Sequence, residues 1–286
     1  MTFRRGLRRS PASATSHRLG AQLHPRVAAA LAAGPKGSAD LSGHLATVFN
    51  QSNSSTCWAH AAANLKYAAL SLSGVTPPFV PSPLYFAQCV YAADRAASTP
   101  PGQPLPPLVD TGAELGAAAE VFTKWGDIPL QAPQQGGATD VPATSDVFGN
   151  PVPLPELSVP EVQAGLRDPF GGSYDIAVDA NAPSLLMATL DAGILVWDGF
   201  YCGPRCEALG PNDVLNEDET SGGGGHSTLY WGYDLNASRK WPVDGPVFFK
   251  RNSWGVGYCR GGDFTVGKIH VVNAWELRPF VLGSGS

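Results

Sequence analysis

The sequence predicts an α+β protein in which a mainly helical part precedes a mainly β part. Alanine-rich segments with helical spacing fill the first half, whereas short aromatic and β-branched segments separated by glycines fill the second. Glycine (33 residues) and proline (26) make up about a fifth of the chain, which predicts many loops. With 286 residues, 43% of them apolar, the chain can bury a large core in one or two domains.

Three helices are predicted in the first half of the chain. The first follows Cys57, with Thr56 in a polar N-cap region and Gly74 as the stop. The other two cover residues 81–97 and 111–127, and a proline-rich spacer separates them. This pattern places Cys57 on the first turn of a helix.

The second half predicts strands after a long irregular loop at residues 131 to about 172, where Pro, Gly and Asn are frequent. The predicted strands are residues 192–202, 226–235, 246–254 and 262–272. We therefore expect a helical half (residues 41–175) and a β half (residues 176–286). A site that uses both halves would lie in the cleft between them.

The first 40 residues differ in charge from the rest of the chain. They hold seven of the 19 basic residues and one acid, so the remainder carries 12 basic and 23 acidic residues, a net charge of −11. An acidic body argues against nucleic-acid binding by the main domain. Residues 1–40 are predicted to be a flexible basic arm or a short pro-segment; a transit peptide, or a contact with nucleic acid or membrane, is the alternative.

Targeting signals are weak in this sequence. No apolar run approaches the roughly 20 residues that a membrane span needs, and no apolar segment of the signal-peptide type follows the arginines. The compartment stays open between a lysosome-like, a secreted and a particle-packaged location. The oligomeric state is open as well.

Four residues can form a thiol-based catalytic site. Cys57 supplies a thiol where backbone N–H groups and the helix dipole stabilise a thiolate. His226 heads a predicted strand after four glycines, and Asn252 offers an amide oxygen that can orient the imidazole. Gln51 can aim its side-chain NH₂ at the same point as the Cys57 backbone N–H, which would make a two-donor oxyanion hole.

Three segments around these residues resemble those of papain-like cysteine peptidases. NQSNSSTCWAHAAA resembles the nucleophile segment, GGGGHSTLYWGYD the histidine segment, and PVFFKRNSWGVGYCRGGDFTV the asparagine segment. The order Cys, His, Asn agrees too, and the Gly-Gly-His form is similar to the cathepsin B branch. The resemblance covers most of residues 41–270.

The resemblance implies a papain-like two-half fold and hydrolysis of peptide bonds in peptide or protein substrates through a thioester, with no metal or organic cofactor. Cys57 would be the nucleophile, His226 the general base and acid, Asn252 its orienter and Gln51 the oxyanion donor. Gly112, Ala113 and Gly225 are expected to contact the substrate. Trp254 is placed with them and would also shield the His226–Asn252 contact from water.

The sequence departs from the family pattern at several places. Ser54 stands where the family usually has a second cysteine, so Cys89 lacks its expected disulfide partner. Ala113 replaces the second residue of a Gly-Gly segment that pairs with the substrate, and His60 replaces an aromatic residue, which we interpret as a packed or capping side chain. Only about 40 residues precede the family-like start at Asp40, so inhibition by a folded pro-domain is not expected.

Three alternatives remain open from the sequence. The chain can be a catalytically weak or inactive homologue that binds peptides or serves a structural role, or an enzyme that transfers the acyl group to an amine. Cys202, Cys206 and Cys259 could ligate zinc with His226, although the metal would then consume the catalytic base. A disulfide bond is also predicted among the cysteines, with the pairing and any redox control unassigned.

Overall fold

The computed structural model of the chain describes residues 7–8, 24–77, 79–124, 133–134, 137–138, 170–173, 178–236, 241 and 243–282. Its helices are α1 (Pro25–Ala33), α2 (Cys57–Leu72), α3 (Pro83–Ser98), α4 (Leu115–Lys124), α5 (Ala182–Asp191), α6 (Pro204–Glu207) and α7 (Lys268–Val272). Its strands are β1 (Leu7–Arg8), β2 (Ser38–Asp40), β3 (Ala113–Glu114), β4 (Pro133–Gln134), β5 (Gly137–Ala138), β6 (Phe170–Ser173), β7 (Val196–Cys202), β8 (Val214–Leu215), β9 (Gly224–Asp234), β10 (Val247–Arg251), β11 (Asp263–Gly267) and β12 (Glu276–Leu282).

One large sheet forms the β half, and it also includes β2 and β6, which precede the predicted boundary at residue 176. Its strand order is β6-β12-β7-β9-β10-β11-β8, and β2 pairs with β9 beside this path. The pairs are antiparallel except β8 with β11. The central strand β9 is buried along most of its length because β7 and β10 flank it and α2 packs against it.

The helical half packs on the sheet through α2. Twelve residues of α2 are buried, among them Trp58, whose ring makes edge contacts with Phe86 and Tyr91 of α3. A helix that is apolar on almost all sides must lie inside the molecule. The long alanine-rich run in the sequence therefore becomes the central helix of the protein.

The α+β class and the position of the first predicted helix, which is α2 in the structure, are confirmed. Helix α2 begins at Cys57 and ends at Leu72, and Gly74 follows with a φ of +81°. Thr56 is the N-cap residue, although its side chain makes no capping hydrogen bond. The thiol of Cys57 therefore lies where the sequence predicts it, on the first helical turn.

The predicted strand at residues 262–272 is only half correct. It ends at Gly267, and the rest forms α7 because Asn216 Oδ1 accepts the backbone N–H of Ile269, a residue of its first turn, and because α7 packs against α5. Its β-branched residues favour a strand, but these tertiary contacts override that local preference. Most of the predicted irregular loop lies outside the described residues.

Part of the segment predicted as a flexible arm is helical. Helix α1 begins at Pro25, which suits the first helical position, and its alanines favour a helix. Val27 is fully buried against Ala188 and Ile194, so α1 is attached to the β half. None of the helices in the described ranges is long and apolar enough to cross a membrane.

Candidate active site

The loop before α2 is held by buried hydroxyl groups. Ser54 Oγ donates to the Gln51 carbonyl oxygen over 2.7 Å and accepts from Thr56 Oγ1 over 2.6 Å. Both hydroxyl-bearing residues are fully buried. Hydrogen bonds from Ser54 thus close the turn that leads into Cys57, at the position where the resemblance expects a disulfide.

His60 belongs to the same helix start. Its Nδ1–H donates to the Thr56 carbonyl oxygen over 2.8 Å, and its ring makes an edge contact with Phe49. These contacts agree with the prediction that His60 is a packed or capping side chain. Its role is to stabilise the first turn of α2.

The side chain of Gln51 connects the two halves. Its Nε2 donates to the Ser54 carbonyl oxygen over 2.8 Å, and its Oε1 accepts from Ser253 Oγ over 2.5 Å. A second bond joins the backbone N–H of Gln51 to the Ser253 carbonyl oxygen. Because a carbonyl only accepts and an amide NH₂ only donates, the Ser54 contact fixes which end of the Gln51 amide is the NH₂.

His226 and Asn252 form the most informative contact of the β half. His226 Nε2 lies 2.8 Å from Asn252 Oδ1, and the backbone N–H of Ser253 donates to the same oxygen over 2.7 Å. The atom that faces a backbone N–H must be an acceptor, so the orientation of the Asn252 amide is fixed. It follows that Nε2 of His226 carries a proton, and that in the neutral imidazole Nδ1 is the basic nitrogen.

Aromatic rings enclose the imidazole of His226. Trp254 stacks on it with centroids 4.6 Å apart and an interplanar angle of 28°, and Phe200 contacts it edge-on at 5.6 Å. Phe200 lies directly opposite His226 in the β7–β9 register. His226 is fully buried and Asn252 almost so, and their hydrogen bond is therefore made in surroundings where water does not compete.

Asp110 is a residue of this site that the sequence analysis missed. Its carboxylate accepts from the hydroxyl of Tyr91 over 2.6 Å and from the backbone N–H groups of Ser55 and Gly112. Burial, followed by the charge of Asp110, raises the pKa of Tyr91 well above its usual value. The carboxylate therefore joins α3, the loop before Cys57 and the Gly112 turn. The sequence signal that could have revealed Asp110 is an aspartate two residues before the glycine of a turn, Gly112.

The predicted substrate-contacting segment is occupied by the chain itself. Gly112 has a φ of +71°, and β3, which starts at the fully buried Ala113, pairs in parallel with β1: Leu7 lies opposite Ala113 and Arg8 opposite Glu114. Leu7 is only 6% exposed. A two-residue strand from the basic arm thus covers the segment expected to pair with a substrate.

Leu7 also contacts the β half. A methyl group on Gly225 would overlap its carbonyl oxygen, and one on Gly199 would overlap its side chain. Leu7 and Cys57 belong to the same buried apolar cluster, and neither Cys57 nor His226 is exposed. The arm residue therefore lies between the two halves, with Ala113 on one side and Gly225 on the other.

The predicted disulfide bond is not formed in this structure. All five cysteines of the chain lie in described parts of it, and they are thiols in this structure. Cys206 and Cys259 lie near Tyr258, whose pKa is raised by burial and by the neighbouring thiols. Among the residues that the structure describes, no group of three His, Cys, Asp or Glu side chains is placed to hold a metal ion, so the zinc alternative gains no support.

The fold is that of papain-like cysteine proteases. Similar solved structures include xylellain, a cysteine protease from Xylella fastidiosa (TM-score 0.65, 20% identity, covering 99% of this chain and 96% of that one). Another is procathepsin B S9 from Trypanosoma congolense (TM-score 0.61, 13% identity, covering 99% of this chain and 87% of that one). A third is the bromelain protease from Ananas comosus bound to the inhibitor E64 (TM-score 0.56, 16% identity, covering 86% of this chain and 99% of that one). No protein-family model and no curated protein matches the sequence.

These comparisons establish the papain-like α+β architecture. The identities of 13–20% are too low to carry an activity or a set of catalytic residues with them. What the site does must therefore be argued from its own atoms.

Proposed function

We propose that the protein is a cysteine peptidase that hydrolyses peptide bonds through a thioester acyl-enzyme. Cys57 is the nucleophile, His226 the general base and acid, and Asn252 the residue that orients His226. Gln51 and the backbone N–H of Cys57 stabilise the oxyanion. The substrate is a peptide or protein, and the residues need no metal or organic cofactor for these steps.

The observation that carries the proposal is the hydrogen bond from His226 Nε2 to Asn252 Oδ1. Because Nε2 keeps its proton in this bond, Nδ1 is the nitrogen that exchanges a proton with the thiol and the leaving group. A histidine held in one tautomer beneath a tryptophan, with a thiol on a helix first turn in the opposite half, suits thiol catalysis.

The reaction follows in two steps. In the first, the Cys57 thiolate attacks the peptide carbonyl carbon, and the imidazolium of His226 gives its Nδ1 proton to the departing amine. In the second, His226 takes a proton from water, which attacks the thioester and releases the acid with Cys57 as the leaving group. The Nε2–H bond to Asn252 persists throughout, so the imidazole stays aligned.

Gln51 suits the oxyanion role because its amide is already oriented. One N–H of its Nε2 donates to the Ser54 carbonyl oxygen, which directs the second N–H of the same planar group. The Ser253 hydroxyl holds the opposite end. A donor whose direction is set before the substrate binds costs no reorganisation in the transition state.

The test is covalent labelling of the reduced protein with a thiol-directed peptidyl electrophile at mildly acidic pH, followed by mass mapping. We expect selective single labelling at Cys57, loss of labelling and of peptide hydrolysis in Cys57→Ala, and nearly complete loss of hydrolysis in His226→Ala. Cys89→Ala is the matched control and should keep both. Hydrolysis by Cys57→Ala at the rate of the original protein would refute the proposal.

The resemblance to the cathepsin B branch is a finer prediction. Substrates blocked at either end would separate endopeptidase from exopeptidase action. An added amine nucleophile, with analysis of the products, would separate hydrolysis from acyl transfer.

A further inference from the structure

A cavity of about 510 Å³ lies beside the cleft, outside the catalytic residues proposed above. It is bounded by α3, the segment that ends the proline-rich spacer, and the start of α4. Its charged lining consists of Arg8 of the arm, Asp94 and Arg95 of α3, and Glu114 of β3. The cavity is therefore built where charged side chains of both signs meet.

Arg8 occupies the rim of this cavity through a weak contact. Its Nη2 lies 3.1 Å from Asp94 Oδ2, and the two side chains are 49% and 40% exposed. Arg8 also lies opposite Glu114 in the β1–β3 register. Because exposed ion pairs contribute little to stability, a second cation can replace Arg8 at little cost.

The charge of the lining favours a cation once Arg8 leaves. Asp94 and Glu114 then face the single positive charge of Arg95, whose guanidinium already donates to the Pro106 carbonyl oxygen over 2.9 Å. Two carboxylates and one guanidinium leave a net charge of −1. A basic side chain restores neutrality, whereas an acidic one adds to the repulsion.

The arm also shows how a peptide reaches this cavity. Leu7 lies in the cleft against Gly199 and Gly225, and its backbone pairs beside Ala113, so the next side chain along the arm falls at the cavity. We propose that the cavity is a subsite that binds a basic side chain of the peptide substrate, and that Arg8 occupies it while the arm is in place. This inference rests on the proposed peptidase function.

The test measures peptide binding to a catalytically silent protein whose arm is displaced, Leu7→Asp/Arg8→Ala/Cys57→Ala. The probe is the labelled peptide RGLRRS, which copies residues 5–10, and its partner carries norleucine in place of the residue that corresponds to Arg8. By fluorescence anisotropy we expect the basic peptide to bind about 2- to 30-fold more tightly, an advantage that decreases as salt increases.

Adding Asp94→Asn and Glu114→Gln should remove this advantage, whereas Glu120→Gln, on α4 but outside the lining, should keep it. Equal binding of the two peptides, an advantage that survives both carboxylate changes, or no binding of either peptide would overturn the subsite.

The proposed function is tested separately, by labelling of Cys57 in the protein with an intact thiol. If the protein binds the basic peptide selectively but is neither labelled nor active, the subsite is supported and the peptidase function is refuted. If the protein is labelled and hydrolyses peptides without preferring a basic side chain, the peptidase function is supported and only the subsite is refuted.

Discussion

His226 Nε2 donates to Asn252 Oδ1 over 2.8 Å, and the backbone N–H of Ser253 donates to the same oxygen over 2.7 Å. The backbone donor settles the orientation of the amide, and the amide in turn settles the tautomer of the imidazole. Two residues that are neighbours in the sequence, Asn252 and Ser253, thus determine which nitrogen of His226 is available for proton transfer.

Asn252→Ala should lower kcat/KM about 10- to 100-fold, because the imidazole loses its orienting acceptor but keeps its own chemistry. His226→Ala should cost more, since it removes proton transfer as well. Steady-state kinetics on one fluorogenic peptide measures both, with Asn273→Ala, an exposed asparagine on α7's C-terminal side, as the control. Equal losses for Asn252→Ala and Asn273→Ala would contradict an orienting role.

Asp110→Ala should lower the free energy of unfolding by about 2–5 kcal/mol. The change removes one carboxylate and leaves the buried Tyr91 hydroxyl and the backbone N–H of Ser55 without their acceptor. Denaturant unfolding measures the loss. Asp110→Asn keeps one acceptor oxygen and should lose less, whereas equal stability of Asp110→Ala and the original protein would show that water replaces the carboxylate.

Lys250→Met should destabilise the protein by about 3–5 kcal/mol because it leaves a buried charge uncompensated. Lys250 Nζ lies 2.6 Å from Asp198 Oδ2, and both side chains are fully buried. Burial lowers the pKa of Lys250 and raises that of Asp198, and the contact between the two charges opposes both shifts. The double variant Lys250→Met/Asp198→Asn should recover much of the loss, since Thr228 keeps an acceptor. A double variant no more stable than Lys250→Met would contradict this account.

His270 should make the protein less stable as the pH falls below about 6.5. Burial, followed by the charge of Lys250, lowers the pKa of His270 well below its usual value. Below pH 6.5 the unfolded chain binds a proton there that the folded chain does not, which removes up to about 1.4 kcal/mol per pH unit. Above that pH the contribution is constant.

Denaturant unfolding between pH 5 and 7 checks this dependence. His270→Gln keeps an acceptor for the Lys250 ammonium, which His270 Nε2 contacts at 3.1 Å, and should show a smaller slope than the original protein. Identical slopes for the two proteins would mean that other groups cause the pH dependence.

Leu7→Asp should speed the labelling of Cys57 about 10- to 100-fold if arm docking limits access to the thiol. Burial of a leucine contributes about 1.5–3 kcal/mol, and Leu7 is buried against Gly199 and Gly225. The rate constant for a peptidyl electrophile measures the effect, and Leu31→Asp, on the exposed side of α1, is the control. An unchanged rate would show that the arm does not restrict access.

The local settings of the proposed catalytic residues were predictable from short stretches of the sequence. A polar loop before an alanine-rich run placed Cys57 on a first turn, and glycine-separated aromatic segments placed His226 and Asn252 on the β half. These predictions hold because caps, turns and the alternation of strands depend on residues close in the chain. The α+β class followed from the same local signals.

Which distant groups meet depends on how the whole chain folds. Asp110 joins three segments, Lys250 finds Asp198 across 52 residues, and Leu7 reaches a strand pair with Ala113. Composition predicted the arm as flexible, because its basic and polar residues have no local partner. Its place in the cleft depends on space left by two glycines of the β half, and such space exists only once the sheet has formed.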